Sequence, residues 1–395
     1  MDDAIAIARE LAWPLGLLLA WLIGELGHRW SGLPRITLYA LVGFVLAPAQ
    51  IGLLPQSTPD AVVLLANIGF GLILFETGHR INLKWLRNNP WLGASGLLES
   101  GLTFGVVYLL GRWFGLSPTI TALLAALAMA TSPAAVLRVI NEQSSSGQVT
   151  ERLLHLAALN CVLAVFTFKI VVGLVVFGTS GNIWHAVYSS AIILLASVFL
   201  GAVFGHAVPA LLRATDRTVQ DSTLAFALAV IALVMLTHAL KLSPLLATLT
   251  FGLIARDRRI VLNRSQRGFG ILGEVLTLLL FVFVSATLSW EQVLAGMGMG
   301  LTLVVGRALA KTVGITALAR ASGITWRKGL LTSLGMAPLS VFVILLIEQT
   351  RISGVDLMAQ LSPLAAAALV LEILGPVLTQ FALRWAHEAR DGRED

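Results

Sequence analysis

A few polar and charged residues lie inside long apolar segments of this sequence. Asn160 and Cys161 are adjacent in one apolar run, and Arg307 and Lys311 lie four residues apart in another, on one face if the run is helical. A charge at the centre of a bilayer costs at least about 2.5–3.5 kcal/mol on insertion scales, so it is normally paired or functional. These residues therefore predict a polar site within a membrane, of the kind that binds a small ion.

Two carboxylates also lie deep in apolar segments, Glu99 and Glu372. An ionisable group at such a depth is a functional hypothesis by default. We expect each carboxylate either to pair with Lys311, Arg307 or Lys169, or to carry protons.

Two apolar segments contain helix-breaking residues. One contains Thr131-Ser132-Pro133, and the other contains Gly335 and Pro338. Proline removes a backbone donor and strains the preceding turn, which membrane proteins tolerate where protein or a water-filled cavity satisfies the freed groups. We predict that Pro133 in one helix, and Gly335 with Pro338 in the other, interrupt these helices near the middle of the membrane.

The composition supports a membrane protein. The 395 residues are 57% hydrophobic and 12% charged, whereas soluble proteins carry about a quarter charged residues. Apolar runs long enough to span a bilayer recur along the chain. The sequence predicts an all-α polytopic membrane protein of about 13 transmembrane helices. The predicted spans are 12–28, 36–49, 59–78, 89–111, 118–141, 151–177, 184–212, 221–240, 242–255, 270–288, 292–319, 328–349 and 361–386.

The basic residues predict the orientation of these spans. With the N-terminus outside, 20 Lys and Arg residues fall in inside loops and tail and 4 fall outside. This bias predicts a cytoplasmic C-terminus in the bacterial inner membrane, and it explains the net charge of +6 without a nucleic-acid partner. The acidic start of the chain does not resemble a cleaved signal peptide, so we expect the first helix to be retained.

The two interrupted helices run in opposite directions in this topology. Such a pair at corresponding positions is typical of an inverted-repeat transporter and of its binding site. Helices 1–6 and 8–13 would form the repeats, with helix 7 between them. No phosphate-binding loop, metal-spaced cluster or catalytic triad indicates an enzyme, and we expect no cofactor and no metal other than a transported cation.

Several segments resemble the cation:proton antiporter superfamily of bacterial sodium or potassium/proton exchangers, and together they span almost the whole chain. The matching segments are Leu33-Pro34-Arg35-Ile36-Thr37 with LYALVGFVLAP after it, GLILFETGHRINLKWLRN at 71–88, ATSPAAVLRVINE at 130–142, GQVTERLLHLAALNCVLAV at 147–165 and ALAKTVGITALARASG at 308–323.

The resemblance implies two domains and a homodimer that works by alternating access. Scaffold and dimerisation helices would occupy residues 1–88 and 214–291, and a mobile core would occupy 89–178 and 292–386. Residues 179–213 would form a linker helix, and residues 387–395 a short cytoplasmic tail.

The resemblance also assigns the ion site, residue by residue. Thr131 and Asn160 match residues of the family's site, and Lys311 matches its basic residue. Ser132 stands where many members have aspartate. Cys161 stands where the family places the aspartate that binds the cation or protons.

The cysteine changes the chemistry expected of this site. A thiol is a poor ligand for Na⁺ or K⁺, because hard cations prefer oxygen. We therefore favour Cys161 as a small buried hydrophobic residue. Lys311, with Arg307 as further charge compensation, then has no obvious carboxylate beside it in the family's pattern.

Three functional hypotheses follow. The leading one is the exchange of a monovalent cation for protons, with Thr131, Ser132, Asn160 and Cys161 at the ion site and Glu99 or Glu372 as proton carrier. A second keeps the fold and transports a small anion, because Lys311, Arg307 and Lys169 are cationic. A third is a non-transporting relative that acts as a sensor or as a structural partner.

Overall fold

The computed structural model of the protein describes residues 2–55, 60–176, 183–214, 219–257, 269–340, 343 and 362–389. These residues form α1 (Asp2–Ser31), α2 (Arg35–Leu46), α3 (Asp60–Arg80), α4 (Leu83–Asn88), α5 (Pro90–Trp113), α6 (Pro118–Ala128), α7 (Pro133–Glu142), α8 (Gln148–Val176), α9 (Ile183–Ala214), α10 (Val219–Ala239), α11 (Pro244–Asp257), α12 (Gly270–Ala286), α13 (Trp290–Ala317), α14 (Trp326–Gly335) and α15 (Ser362–Trp385). The outer half of the predicted span 328–349 and the end of the predicted tail lie outside the described residues.

Seven of the described helices are long and apolar enough to cross a membrane: α1, α3, α5, α8, α9, α13 and α15. Shorter apolar helices accompany them, among them α2, α6 and α12. Several of the shorter helices correspond to parts of predicted spans. The total of thirteen spans remains a prediction.

The helices pack into two groups. Helices α5–α8 and α13–α15 contact one another extensively, and we call them the crossing bundle. Helices α1–α3 and α9–α12 form the flanking bundle, with α11 packed between α3 and α9. The two bundles meet where α2 contacts α15, where α3 contacts α7, and where α8 contacts α9. The assignment of these bundles to a mobile core and a dimerising scaffold remains a prediction.

Local sequence explains where the helices of the crossing bundle begin. Proline occupies the first turn of α5, α6 and α7, where its missing N–H would have no helical partner. Serine and threonine side chains cap several starts: Ser117 accepts from the backbone N–H of Ile120 at 3.3 Å, and Thr325 accepts from that of Lys328 at 3.3 Å.

The two interrupted helices cross at their breaks. Helix α6 ends at Ala128 and α7 begins at Pro133, while α14 ends at Gly335. Thr131 and Leu339 form an isolated antiparallel bridge, and the N–H of Ser132 donates to the carbonyl of Pro338 at 3.0 Å. The extended strands at the breaks therefore satisfy part of each other's backbone.

Glycines allow close contact between helix backbones in the flanking bundle. A Cβ atom built on Gly252 of α11 would overlap the backbone oxygen of Phe75 on α3, and one on Gly78 of α3 would overlap that of Leu249. Small residues at such contacts are typical of membrane helices, which associate through close packing. The contact between α3 and α11 therefore depends on the absence of side chains here.

We predict that Gly252→Ala destabilises the protein by roughly 1–3 kcal/mol, because the added methyl group meets a backbone that cannot move aside cheaply. Thermal unfolding of the purified protein in detergent measures the effect. Gly101→Ala is the matched control, since Gly101 lies in α5 with open space around it. Equal unfolding midpoints for the two variants would contradict this account of the packing.

Candidate functional site

Arg307 of α13 lies between the two helix breaks. Its Nε donates to the carbonyl of Ala128 at 2.8 Å, and its Nη2 donates to that of Ala130 at 2.8 Å. Its Nη1 donates to the carbonyl of Ala337 at 2.7 Å, with Pro338 O at 3.4 Å from Nη2. The last carbonyls of an interrupted helix lack partners and carry partial negative charge. One guanidinium therefore satisfies carbonyls from both breaks.

Lys311 forms a buried ion pair with Glu99 of α5. The two side chains are 1% and 0% exposed, and Lys311 Nζ also donates to the carbonyl of Met129 at 3.2 Å. The expected pairing of Glu99 with one of the buried cations is therefore confirmed, and the cation is Lys311. The carboxylate comes from α5 rather than from the position of Cys161 in α8.

A glycine brings Glu99 close to Lys311. Gly314 lies one turn after Lys311 on α13, and a Cβ atom there would overlap the backbone of Glu99. The hydroxyl of Ser95, one turn before Glu99, lies 3.5 Å from the carbonyl oxygen of Gly314. Because α5 and α13 approach so closely at this point, the short Glu99 side chain reaches the ammonium group.

Hydrogen bonds connect this ion pair to α8 and to the first break. The hydroxyl of Ser100 donates to Asn160 Oδ1 at 3.0 Å and lies 3.4 Å from Glu99 Oε2. Asn160 Nδ2 lies 3.4 Å from Thr131 Oγ1, to which it donates. The chain of contacts runs from Lys311 through Glu99, Ser100 and Asn160 to Thr131. Asn160 and Thr131 are fully buried.

Thr131 and Ser132 also hold the broken helices in place. Thr131 Oγ1 donates to the carbonyl of Met336 at 3.4 Å, which links the two breaks. Ser132 Oγ accepts from the N–H of Ala135 at 3.2 Å and caps the start of α7. The hydroxyl of Ser132 is therefore engaged as a helix cap, and the predicted role of both residues in binding an ion remains a prediction.

Cys161 is fully buried beside the break. Its Sγ donates to the carbonyl of Thr131 at 3.2 Å and lies 3.9 Å from Ser340 Oγ. The thiol thus ties α8 to the residues around both breaks. These contacts agree with a small buried side chain that positions the backbone.

The structure does not bring Glu372 into this network. Glu372 is buried on α15, and its Oε1 has no hydrogen-bond partner. Within the described residues it forms no ion pair with Lys311, Arg307 or Lys169. Lys169 lies two turns after Cys161 on α8 and is half-buried. Of the two alternatives expected for Glu372, pairing with one of these cations is not found among the described residues, and the carrying of protons remains a prediction.

Comparison with known proteins identifies the family. The model of the family described as "sodium/hydrogen exchanger, transmembrane" matches residues 15–385. The chain belongs to the sodium/hydrogen exchanger family. The Na(+)/H(+) antiporter NhaP of Pseudomonas aeruginosa is 25% identical over 270 residues, which cover 64% of this exchanger chain and 63% of that relative. The match therefore spans less than two thirds of the length of this relative.

Solved structures show the same fold. The sodium proton antiporter MjNhaP1 from Methanocaldococcus jannaschii at pH 8 superposes with a TM-score of 0.66 at 17% identity, covering 98% of both chains. A second structure of MjNhaP1, from an electron-microscopy map, gives a TM-score of 0.72 at 16% identity, covering 98% of this chain and 96% of the other.

These findings confirm the predicted family and the predicted helical, multi-pass antiporter fold, and the family is one of transporters rather than enzymes. Ser100 is a member of the network that the sequence analysis missed. Its position next to Glu99 was a usable signal, because a hydroxyl beside a buried carboxylate commonly forms part of a polar network.

We predict that Arg307→Lys destabilises the exchanger although it keeps the positive charge. An ammonium group cannot reach carbonyls at both breaks as the planar guanidinium does. Loss of two hydrogen bonds from a charged donor corresponds to about 3 kcal/mol or more. Thermal unfolding in detergent measures the loss. Arg112→Lys serves as control, because exposed Arg112 donates to one carbonyl, that of Leu116, at 2.5 Å. Unfolding of Arg307→Lys at the wild-type temperature would contradict the proposed clamp.

Proposed function

We propose that this protein exchanges a monovalent cation for protons, and that the buried pair of Glu99 and Lys311 is the group that exchanges them. One observation carries the proposal: the pair is enclosed at the helix crossing and connected through Ser100 to Asn160. The buried carboxylate of Glu99 supplies the hard oxygen ligand that this chain lacks at position 161, where the family's pattern has aspartate. Glu99 thus takes the place of the missing aspartate from a neighbouring helix.

The charges at the crossing suggest how the two ions compete. Glu99 is negative while Lys311 and Arg307 are positive, so the site holds one net positive charge. A monovalent cation entering this enclosed space adds a second positive charge, which is costly at low dielectric. Arginine does not release its proton in proteins. We propose that the Glu99–Lys311 pair releases a proton instead, and that the proton returns when the cation leaves.

Oxygen atoms around Glu99 would complete the cation site. Ser100, Asn160 and Thr131 each present a side-chain oxygen within the same network. Ser132 and Cys161 are engaged with the backbone at the break, where they position the chain that surrounds the cation. We therefore propose Glu99, Ser100, Asn160 and Thr131 as ligands, with Ser132 and Cys161 in supporting roles.

The contacts of the two cationic residues do not favour an anion as substrate. Arg307 directs its donors at backbone carbonyls of both breaks, and Lys311 directs its donors at Glu99 and Met129 O. An anion would have to displace these partners. A connected and exchangeable ion pair is likewise not expected of a non-transporting relative.

We also make proposals for the transported cation, the bundle that moves and the orientation in the membrane. The names of the relatives refer to sodium, so we propose Na⁺ as the first cation to test and K⁺ as the second. We propose that the crossing bundle moves against the flanking bundle and that the flanking bundle dimerises. The bias of basic residues supports the bacterial inner membrane, with the N-terminus outside and the C-terminus in the cytoplasm.

We predict that Glu99→Gln abolishes cation-driven dissipation of ΔpH in everted membrane vesicles from a host without its own exchangers. The amide keeps the shape of the side chain but removes the charge that binds the cation. A pH-sensitive dye measures the response to added Na⁺, K⁺ or Li⁺. Glu151→Gln is the control, because Glu151 is exposed at the start of α8 and should leave exchange intact.

Cys161→Ala separates the two possible sites. We expect it to retain exchange, because the thiol supplies a contact and no charge. If Glu99→Gln is fully active and Cys161→Ala is inactive, the ion site lies at Cys161 on α8 and the proposed role of Glu99 is wrong. If the wild-type protein responds to none of the three cations, the exchanger proposal fails.

A further inference from the structure

Glu372 is a buried carboxylate that the proposed exchange at Glu99 does not use. Its side chain is 7% exposed, and its Oε1 is buried without a hydrogen-bond partner. The polar group recorded beside it within the described residues is the hydroxyl of Ser285 on α12. Ser285 Oγ is itself fully enclosed and has no hydrogen-bond partner. Two neighbouring side chains inside the protein therefore each have a buried oxygen without a hydrogen-bond partner.

This position lies where the two bundles meet. Glu372 belongs to α15 of the crossing bundle, whereas Ser285 belongs to α12 of the flanking bundle. One residue after Glu372, the carbonyl of Ile373 accepts from Thr37 Oγ1 of α2 at 3.3 Å. Three residues after Glu372, Gly375 packs closely on Pro338. A Cβ atom built on Gly375 would lie only 2.6 Å from the Cα atom of Pro338. Glu372 thus lies one turn from the second break and faces the contact between the bundles.

No charge compensates an ionised Glu372 among the described residues. The ionisable side chains on the packed helices have other partners or lie elsewhere; they are Arg35 and Tyr39 on α2, Arg138 and Glu142 on α7, and Glu291, Arg307 and Lys311 on α13. Arg384, in the last turn of α15, donates to Gln143. The ionisable side chains of α14, Arg327 and Lys328, lie in its first turn, and Glu274 lies in the second turn of α12, far along that helix from Ser285. An isolated carboxylate in such surroundings is costly, and it becomes neutral instead by binding a proton.

We propose that Glu372 is a second proton-binding site, protonated while α15 is packed against α2 of the flanking bundle and able to release its proton to water when the two bundles separate. The step transfers one proton from the carboxylic acid to water and changes no other bond. The acid O–H would have Ser285 Oγ as its neighbour, which accounts for two otherwise unsatisfied oxygens. The inference goes beyond the exchange proposed at Glu99, because it ties the contact between the bundles to pH.

Infrared spectroscopy tests the protonation state directly and does not require transport. A protonated carboxyl group has a C=O band separate from that of carboxylates. Spectra are recorded on protein in an alkyl maltoside, so that no lipid ester band interferes, at a pH near 8, where exposed Asp and Glu are ionised because their pKa values are near 4. We expect wild type to show a carboxylic-acid band that Glu372→Gln loses and Glu151→Gln retains.

Ser285→Ala provides a second variant for the same measurement. Removal of the neighbouring hydroxyl is expected to shift the frequency of the band while leaving its intensity. If wild type and Glu372→Gln have the same carboxylic-acid band, Glu372 is ionised in the wild-type protein and the proposal is overturned. A thermal unfolding midpoint near that of wild type establishes that each variant is folded.

The pH profile of transport tests the link to movement of the bundles, and this part rests on the proposed exchange. An ionised Glu372 resists repacking of α15 against the flanking bundle, which it meets at α2, whereas glutamine does not. The ratio of the Glu372→Gln rate to the wild-type rate should therefore rise as pH is raised. A constant ratio at every pH would overturn the link. Absence of transport in wild type would refute the exchange proposal alone, because the infrared result stands apart from it.

Discussion

The hydrogen bonds from Arg307 to the carbonyls of both interrupted helices are the constraint on which the site depends. Breaks in two helices expose carbonyl groups to which lipid cannot donate hydrogen bonds. The planar guanidinium group of Arg307 on α13 donates to carbonyls at both breaks. These contacts hold α13 against the residues at both breaks. Lys311, one turn further along, is then directed at Met129 O and Glu99. Arg307 therefore also positions Lys311, the cation of the proposed exchange site.

Relocation of the carboxylate follows from this arrangement. A buried ammonium group without an anion would be costly, and removing one partner of a buried pair typically costs 3–5 kcal/mol. With cysteine at position 161, Glu99 supplies the anion from α5, and Ser100 joins it to Asn160. The site keeps its charge balance although the residue that normally carries it is absent. The transported ion would then meet a carboxylate that approaches from a different helix.

Much of the architecture was accessible from sequence because it depends on local chemistry. Pro133 and Pro338 each lack a backbone donor and stand next to other helix-breaking residues, which marks the two breaks in the sequence. Proline alone is not sufficient, because Pro14, Pro209 and Pro376 lie inside continuous helices. Sequence placed Glu99 among the carboxylates expected to pair with Lys311, Arg307 or Lys169, but it could not tell which pair forms. Glu99 and Lys311 are 212 positions apart, and their meeting depends on the close approach that Gly314 permits. The six-residue helix α4 was missed because it is too short to produce a periodic pattern.

Proton release on cation binding tests the central claim most directly. Purified protein in weakly buffered detergent solution, with a pH-sensitive dye, is mixed with Na⁺ and then, separately, with K⁺; choline chloride controls for ionic strength. If the Glu99–Lys311 pair exchanges its proton for the cation, wild type and Cys161→Ala release protons on addition of a transported cation, and Glu99→Gln releases none. Proton release from Glu99→Gln equal to that from wild type would contradict the account.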